Sequence, residues 1–512
     1  MKGAFGPRLR AGVVAVAVCA MVGGCAVGPD FRHPGPPQVG AYTATPLPET
    51  TAAGPGSAGP AQSFVFGVDI PAQWWMLFQC TALDGLIRQA LDDSPTLAAA
   101  QAALRQAEEI WRAEFGTVWF PTVDAGATAE RQKSSAAAFG QPATAGATGG
   151  KIFNLYNASV KVSYLLDVFG GGRRELEALR SQIAYEQFQL EAAYLTLTSS
   201  IVTTAVQEAA LRAQIQVTQE IVTLEEKQLD LVERQFQVGG ASRADVLAQS
   251  AQVAQTRATL PPLERQLAQN RHQLATLRGK LPAEAKLPEF TLESLHLPQQ
   301  LPVSVPSALV RQRPDIRASE ALWHAACAQI GVATADLLPQ VALSGSYGSQ
   351  TNKLSELFDR NTFIWNVAGS LTQPVFHGGA LLANRRAAIA AYEQAGAQYR
   401  ETVLLAFQNV ADVLRALEAD ARTLQAQAEA EAAARATMEL TQQQFELGAV
   451  AYLSLLNAQR QYQQARIGLV QAQAARFADT AALFGALGGG WWNRGNAQVQ
   501  AAALAASAKP NP

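Results

Sequence analysis

The sequence predicts a mainly α-helical chain that contributes a few strands to a membrane β-barrel and is built twice over. Three observations carry that expectation. Two stretches of roughly 65 residues are almost free of helix breakers, two pairs of short segments alternate apolar and polar residues, and one corner is written twice, as QFQVGGASRADVL from Gln235 and QFELGAVAYLSLL from Gln444.

In the clearest of the alternating segments, Ala158, Val160, Val162, Tyr164 and Leu166 are separated by Asn157, Ser159, Lys161 and Ser163. The same period recurs at Trp119, Val123, Ala125 and Ala127, at Val341, Leu343 and Tyr347, and at Phe363, Trp365, Val367 and Leu371. Period-two alternation marks a strand with one apolar face, and about ten residues is the length a tilted strand needs to cross a bilayer. Strands persist in lipid only inside a closed barrel, and the smallest single-chain barrels use about eight. Four are too few, so a membrane role requires several copies to share one barrel. No segment after the leader is apolar enough to span as a helix; even AAYLTLTSSIVTTAV is short and studded with hydroxyls.

From Arg173 to Val238 there is no Gly or Pro, and from Ala380 to Leu447 only Gly396. At 1.5 Å per residue each stretch makes a helix of roughly 100 Å. Ile389, Gly396, Val403, Val410, Leu417 and Leu424 form one seven-residue series, and Tyr392, Tyr399, Ala406 and Val413 occupy the position three later. Leu176, Ile183, Leu190 and Leu197 repeat in the same way. Such series are coiled-coil seams. Gly239 with Gly240, and Gly448, then stand where each helix must stop, because glycine accepts the left-handed cap conformation cheaply. Return helices are expected near Ser242 and Tyr452, with Pro261 and Pro262 breaking the first.

The order strand, strand, long helix, tip, return helix thus occurs twice. VFGGGRRELEA at Val168 parallels VFHGGALLANR at Val375, DSPTLAAAQAAL at Asp93 parallels RPDIRASEALWH at Arg313, and WFPTV parallels LLPQV, with Pro121 and Pro339 at the helix-to-strand step. The segmentation read from this is 69–300 for the first repeat, 301–490 for the second and 491–512 for a tail.

Residues 1–24 have the layout of an export signal, with Lys2, Arg8 and Arg10 before an apolar run. Cys25 follows in VGGCAVGPDF, which resembles a bacterial lipobox with Val22 in place of the usual Leu. Acylation of Cys25 is expected to anchor the chain, at about 0.8 kcal/mol per buried methylene, and Ala26 in place of Asp favours the outer membrane by the same resemblance. Residues 25–68 are rich in Pro, Gly, Ala and Thr and read as an extended tether without a core of its own. For Cys80 and Cys327 the spacing leaves pairing open, with free thiols the expectation.

Charged residues make up 16% of the chain and the net charge is −2, so no basic field exists for a nucleic acid. His33, His272, His296, His324 and His377 show no metal-ligand spacing, and no phosphate-binding, dinucleotide or nucleophile motif is present. His377, at a strand-helix joint, reads as structural. No enzyme and no cofactor is indicated.

Taken together, CAVGPDFRHP, QWWMLFQCTALDGLIRQAL, LLDVFGGGRRELEA, RQRPDIRASEALWHAACAQIGVATADLLPQ, the two tip motifs and ALFGALGGGWW resemble the TolC-like outer-membrane efflux family in its OprM/NodT lipoprotein branch, over nearly the whole chain from Cys25 to Trp492. The resemblance implies a homotrimer in which each protomer gives four strands to a shared barrel and long helices to a periplasmic tunnel. It implies a periplasmic adaptor (membrane fusion) protein and an inner-membrane pump of the RND type as partners, with Cys25 in outer-membrane lipid. The duct would carry drugs or other small solutes; the exit duct of a type I protein-secretion system is the alternative, and a coiled-coil adhesin would need neither the strand pairs nor the duplicated tips. Phe236, Gly239, Gly240, Phe445 and Gly448 are the expected docking tips, and Asp245, Ser454 and Asn457 the expected aperture residues. Here the chain departs from the family, since Asn457 in LLNAQ replaces the carboxylate of LLDAQ and Phe236 and Phe445 replace Tyr.

Overall fold

The computed structural model describes residues 26–134 and 151–494, so Cys25, the signal segment and the end of the tail lie outside the described residues. The principal elements are β1 (Ser63–Phe66), α1 (Thr81–Asp93), α2 (Pro95–Trp119), β2 (Thr122–Ser134), β3 (Lys151–Leu166), α3 (Gly171–Gln237), α4 (Arg243–Ala258) and α5 (Leu260–Leu277). The second half supplies β4 (Gln300–Val303), α6 (Pro306–Gln312), α7 (Pro314–Ala335), β5 (Gln340–Thr351), β6 (Phe363–Thr372), α8 (Ala380–Glu446) and α9 (Tyr452–Ala486). The two long helices, α3 and α8, have 67 residues each. Among the described residues no helix is long and apolar enough to cross a membrane.

The chain divides into two units. The first comprises residues up to His33, Leu104–Tyr185 and Ser319–Gln398. Its centre is an antiparallel sheet in the order β2-β3-β5-β6, so the two predicted strand pairs meet edge to edge through β3 and β5. One predicted strand residue is misplaced: Trp119 is the last residue of α2, because Pro121 separates helix from strand and β2 begins only at Thr122. Every residue of β6 is exposed within the protomer, including Trp365 at 75% and Val367 at 77%. An apolar strand face with nothing over it fits lipid or another copy of the chain, not water.

At the foot of this sheet each long helix begins just after a left-handed glycine, Gly170 (φ 78°) before α3 and Gly379 (φ 83°) before α8. The sequence parallel of VFGGG with VFHGG pairs Gly170 with His377; the backbone instead pairs Gly170 with Gly379, a slip of two residues. The slip is invisible in sequence because the second motif offers two glycines and both Gly378 (φ 58°) and Gly379 take positive φ. The first foot is tightly packed. A Cβ on Gly171 would stand 2.9 Å from Ala335 Cβ, and one on Gly172 would stand 2.9 Å from Val118 Cγ1, so glycine is what lets α3 start against α2 and α7.

The second unit comprises Pro34–Ala103, Glu186–Ala318 and the chain from Tyr399. Trp74, Trp75, Phe78, Phe477 and Phe484 fill its core with Val410, Leu414, Leu417 and Leu424 of α8. The predicted seam is therefore buried at Val410, Leu417 and Leu424, with Tyr399 and Ala406 beside it. The break at Pro261 and Pro262 is also present: α4 ends at Ala258, and the prolines take the first turn of α5, where a missing N–H costs nothing. Cys80 and Cys327 are both free thiols.

The predicted tether differs from expectation between Pro34 and Val68. Thr51, Ala58 and Gln62 are buried, and β1 pairs in parallel with β4. The segment has no core of its own, as its composition requires, but it satisfies a buried charge. Arg476 of α9, fully buried, donates to Ala58 O (2.6 Å), Thr51 Oγ1 (3.2 Å), Pro60 O (3.2 Å) and Gln62 Oε1 (3.1 Å). A buried guanidinium needs acceptors, and the tether's irregular backbone supplies them.

Candidate functional site

The second unit carries the two tips. At the end of α3, Gln235 O accepts from Gly240 N (2.7 Å) and Phe236 O from Gly239 N (3.1 Å); at the end of α8, Gln444 O accepts from Ala449 N (2.8 Å) and Phe445 O from Gly448 N (2.9 Å). This nested pair of bonds is the Schellman arrangement, made twice with the same spacing. Gly239 (φ 80°) and Gly448 (φ 72°) hold the left-handed position, and a Cβ at either would meet nothing within 4 Å. Glycine is required there for its backbone, not for space.

The helices that return from the tips start differently. Ser242 caps α4 in a reciprocal box: Asp245 N donates to Ser242 Oγ (3.2 Å), while Ser242 N and Oγ donate to Asp245 Oδ2 at 2.9 and 2.7 Å. The predicted aperture carboxylate is thus engaged in holding the helix start. At the matching positions of the second tip stand Ala451 and Ser454, and α9 begins without a side-chain cap. Ser454 and Asn457 lie exposed one turn apart on α9.

Both tips share one small core. Val232 of α3, Val246 of α4 and Tyr452, Leu455 and Leu456 of α9 are buried together. Phe445 closes its edge with its ring centroid 5.5 Å from that of Tyr452, whereas Phe236 stays 40% exposed with the Arg243 guanidinium 6.0 Å from its ring. Above the core runs a chain of hydrogen bonds that sequence reasoning did not find. Tyr452 Oη donates to Gln249 Oε1, Gln249 Nε2 to Glu225 O (2.8 Å), Gln252 Nε2 to Glu225 Oε1 (3.1 Å) and Arg460 Nε to Gln252 Oε1 (2.7 Å). Glu225 is 1% exposed; burial pushes its pKa above the ordinary carboxylate value, against the opposing pull of Thr256, Gln252 and Arg460. A groove of about 920 Å³ adjoins this network, lined by Gln252, Gln255, Gln427, Arg460, Gln464 and Gln471.

In the first unit, residues following Cys25 are clamped in place. The buried Arg174 donates to Val27 O (3.1 Å), Asp30 Oδ1 (2.7 Å) and Glu177 Oε2 (2.7 Å). Burial works against its charge, but the hydrogen bonds and charges of Asp30 and Glu177 prevail and its pKa lies above the ordinary value. Phe31 stacks on His324 (4.5 Å, 12°), His324 Nε2 lies 2.8 Å from Glu177 Oε1, and His33 Nδ1 lies 2.7 Å from Glu320 Oε1. Two of the scattered histidines are therefore clamp residues. The run GPDF marked the place in the sequence; its partners lie some 150 and 290 residues away, beyond any local pattern.

A sheet with exposed apolar strands and two long helices that end in twin glycine turns make up the fold of a TolC-like outer-membrane channel. The chain belongs to the outer membrane efflux protein family, whose model matches residues 86–280 and 305–489. It is 32% identical over 419 residues to the pyoverdine export outer membrane protein OpmQ of Pseudomonas aeruginosa, covering 82% of this chain and 87% of that one. To the probable efflux pump outer membrane protein TtgC of Pseudomonas putida it is 30% identical over 502 residues, covering 96% and 98%. The solved structure of the outer-membrane channel OprN superimposes with a TM-score of 0.80 at 28% identity, over 91% of this chain and 100% of that one. The fold is thus the TolC-like one that the sequence resemblance implies, and these relatives are channel proteins of efflux systems rather than enzymes.

Proposed function

We propose that the protein is the passive exit duct of a tripartite efflux pump, assembled as a homotrimer with twelve barrel strands. The carrying observation is the four-stranded sheet, in which β2 and β6 each pair on one side only among the described residues. Four strands do not close a barrel in lipid, and three copies bring the number into the range of known barrels. In this reading Cys25 is acylated after loss of residues 1–24, and the two repeats, 69–300 and 301–490, continue from the shared barrel into a periplasmic helical tunnel.

The twin tips at Gly239, Gly240 and Gly448, with Phe236 and Phe445, dock a periplasmic adaptor that joins the duct to an inner-membrane pump of the RND type. Substrates are drugs or other small solutes, in keeping with the pyoverdine, toluene, antibiotic and solvent named for relatives. Asp245, Ser454 and Asn457 line the periplasmic aperture, where Asn457 brings no charge. The test is Gly448→Trp, which places a bulky side chain on a left-handed residue that must lie at the joint. Export of a drug substrate should fall several-fold while the variant remains trimeric in the outer membrane; full export by that variant would remove the tip from the docking surface.

A further inference from the structure

Every helix that joins the four-stranded sheet does so at one end of it: β2 starts after α2, β3 ends before α3, β5 starts after α7 and β6 ends before α8. The end where β2 finishes and β6 begins is therefore the one turned away from the helices. Along β2 the pleat sorts side chains by face. Asp124 and Thr128 share one face with their partners Lys161 and Asn157 of β3, and Glu130 falls on that face too. Val123 and Ala125 share the other with Val162 and Val160, and the register carries this face on to Tyr347 of β5 and Trp365 of β6. In a membrane barrel the apolar face is the one turned to lipid.

Two features interrupt that outer face. An apolar groove of about 440 Å³ is sunk into it, lined by the small Ala125, Ala127 and Ala158 and by the rings of Tyr347, Phe358 and Phe363. Tyr347 and Phe363 stack at 5.7 Å and 19°, and Phe358 comes from the connection between β5 and β6. Beyond Ala129, at the end away from the helices, the same face of β2 then continues with Arg131 and Lys133 in place of apolar residues. Both are exposed, and neither forms an ion pair among the described residues, whereas Lys353 at the same end is paired with Glu356 at 2.8 Å. Glu130 does not neutralise them, since the pleat turns it to the opposite face. From Ala127 to Arg131 is about 13 Å along the strand, close to half the ~30 Å thickness of a hydrocarbon core. A chain lying in the groove would thus end at its headgroup beside the two cations.

We infer that this face binds a lipid of the outer leaflet, a phosphorylated, multiply acylated glycolipid of the lipopolysaccharide class, with one acyl chain in the groove and a phosphate held by Arg131 and Lys133. The groove by itself would accept any acyl chain, so the cations decide the class. A guanidinium pairs with phosphate oxygens at two points, and Lys133, two residues on and on the same face, adds a second positive charge. A zwitterionic headgroup offers this pair no net charge. The end of the sheet that carries them is the external one when the helices run into the periplasm, which selects the lipid of the outer leaflet.

The inference rests on the trimeric-barrel reading, and native mass spectrometry of the purified full-length protein in detergent separates the two. The protein is titrated with bis-phosphorylated lipid A and, in parallel, with phosphatidylglycerol. The trimer should take one lipid A per protomer in preference to phosphatidylglycerol. The double variant Arg131→Gln, Lys133→Gln should bind lipid A at least about tenfold more weakly, the loss expected for one charge-assisted hydrogen bond. Both positions are exposed at the end of an edge strand, so this variant should remain trimeric. Ala127→Trp, which fills the groove and leaves the cations, should also weaken binding, while Lys161→Gln on the inner face should leave it unchanged. Trimers that bind lipid A equally in the parent and the double variant, or that bind phosphatidylglycerol as tightly, would overturn the inference and leave the trimer standing. A monomeric native mass would overturn the trimer reading and this inference with it.

Discussion

The two repeats share their architecture and differ in how their ends are secured. In the first, the foot is packed against α2, α7 and the N-terminal segment, and the tip opens into a helix with a reciprocal side-chain cap. In the second, the foot glycines Gly378 and Gly379 meet nothing, the joint is held by Gln373 Nε2 donating to Leu337 O (3.1 Å) and Arg385 Nε to Thr334 Oγ1 (3.2 Å), and the return helix starts uncapped. Duplication copied the backbone plan, which depends on glycine placement and hydrophobic period. It did not copy the same polar fastenings: Arg174 with Asp30 and Glu177 holds the first foot, Gln373 and Arg385 the second.

The largest effect should come from the clamp at the first foot. Arg174 is the fourth residue of α3, and the fourth residue of α8 is Ala383, exposed to solvent. Arg174→Met removes charge-assisted hydrogen bonds to Asp30 and Glu177 and the one to Val27 O, and since the Asp30 side chain is 88% exposed it should cost about 1.5–3 kcal/mol; Ala383→Met should stay within about 0.5 kcal/mol. Thermal unfolding, with protease sensitivity of residues 26–33 as a local readout, compares them. Similar losses for both would erase the asymmetry of the feet.

A smaller effect is expected at the tips. Asp245→Ala should destabilise the start of α4 by about 1 kcal/mol through loss of the capping box, and Ala451→Ser should stabilise the start of α9 by a similar amount. Amide hydrogen exchange in the first turns of the two helices reads each change separately. If Asp245→Ala leaves protection in the first turn of α4 unchanged, the box is not what secures that helix.

The last contrast is a pH dependence set by a carboxyl pair in the second repeat. Asp420 of α8 and Asp479 of α9 share a hydrogen bond beside Arg476; burial first, and Asp479 after it, push the Asp420 carboxyl up to about 7, while Arg476 opposes them. At the same level α3 carries the buried Leu211. Between the ordinary aspartate value and about 7 the native state keeps a proton that the unfolded chain has released. Stability should therefore fall as pH rises through that window and level off above it. Unfolding midpoints at pH 5, 6 and 8 should show this decline in the parent and a shallower one in Asp420→Asn. Parallel profiles would mean that the pair does not hold the proton.

Local rules were enough for the long helices, the tips and the strand pairs, because each rests on the identities of residues within a few positions: breaker-free runs, Gly239 and Gly448 at left-handed caps, period-two alternation beginning just after Pro121 and Pro339. The sequence by itself thus determined the duplicated plan. What only the tertiary structure decided lies in long-range polar closure. Nothing near Arg174 announces Asp30, and nothing near Arg476 announces that a proline- and glycine-rich segment will bind it. The two-residue slip between the feet also escaped, since either glycine of the second motif can hold a positive φ. For the two arginines the deciding quantity is the cost of leaving a buried charge unpaired, and that cost is settled by whichever distant segment can reach it.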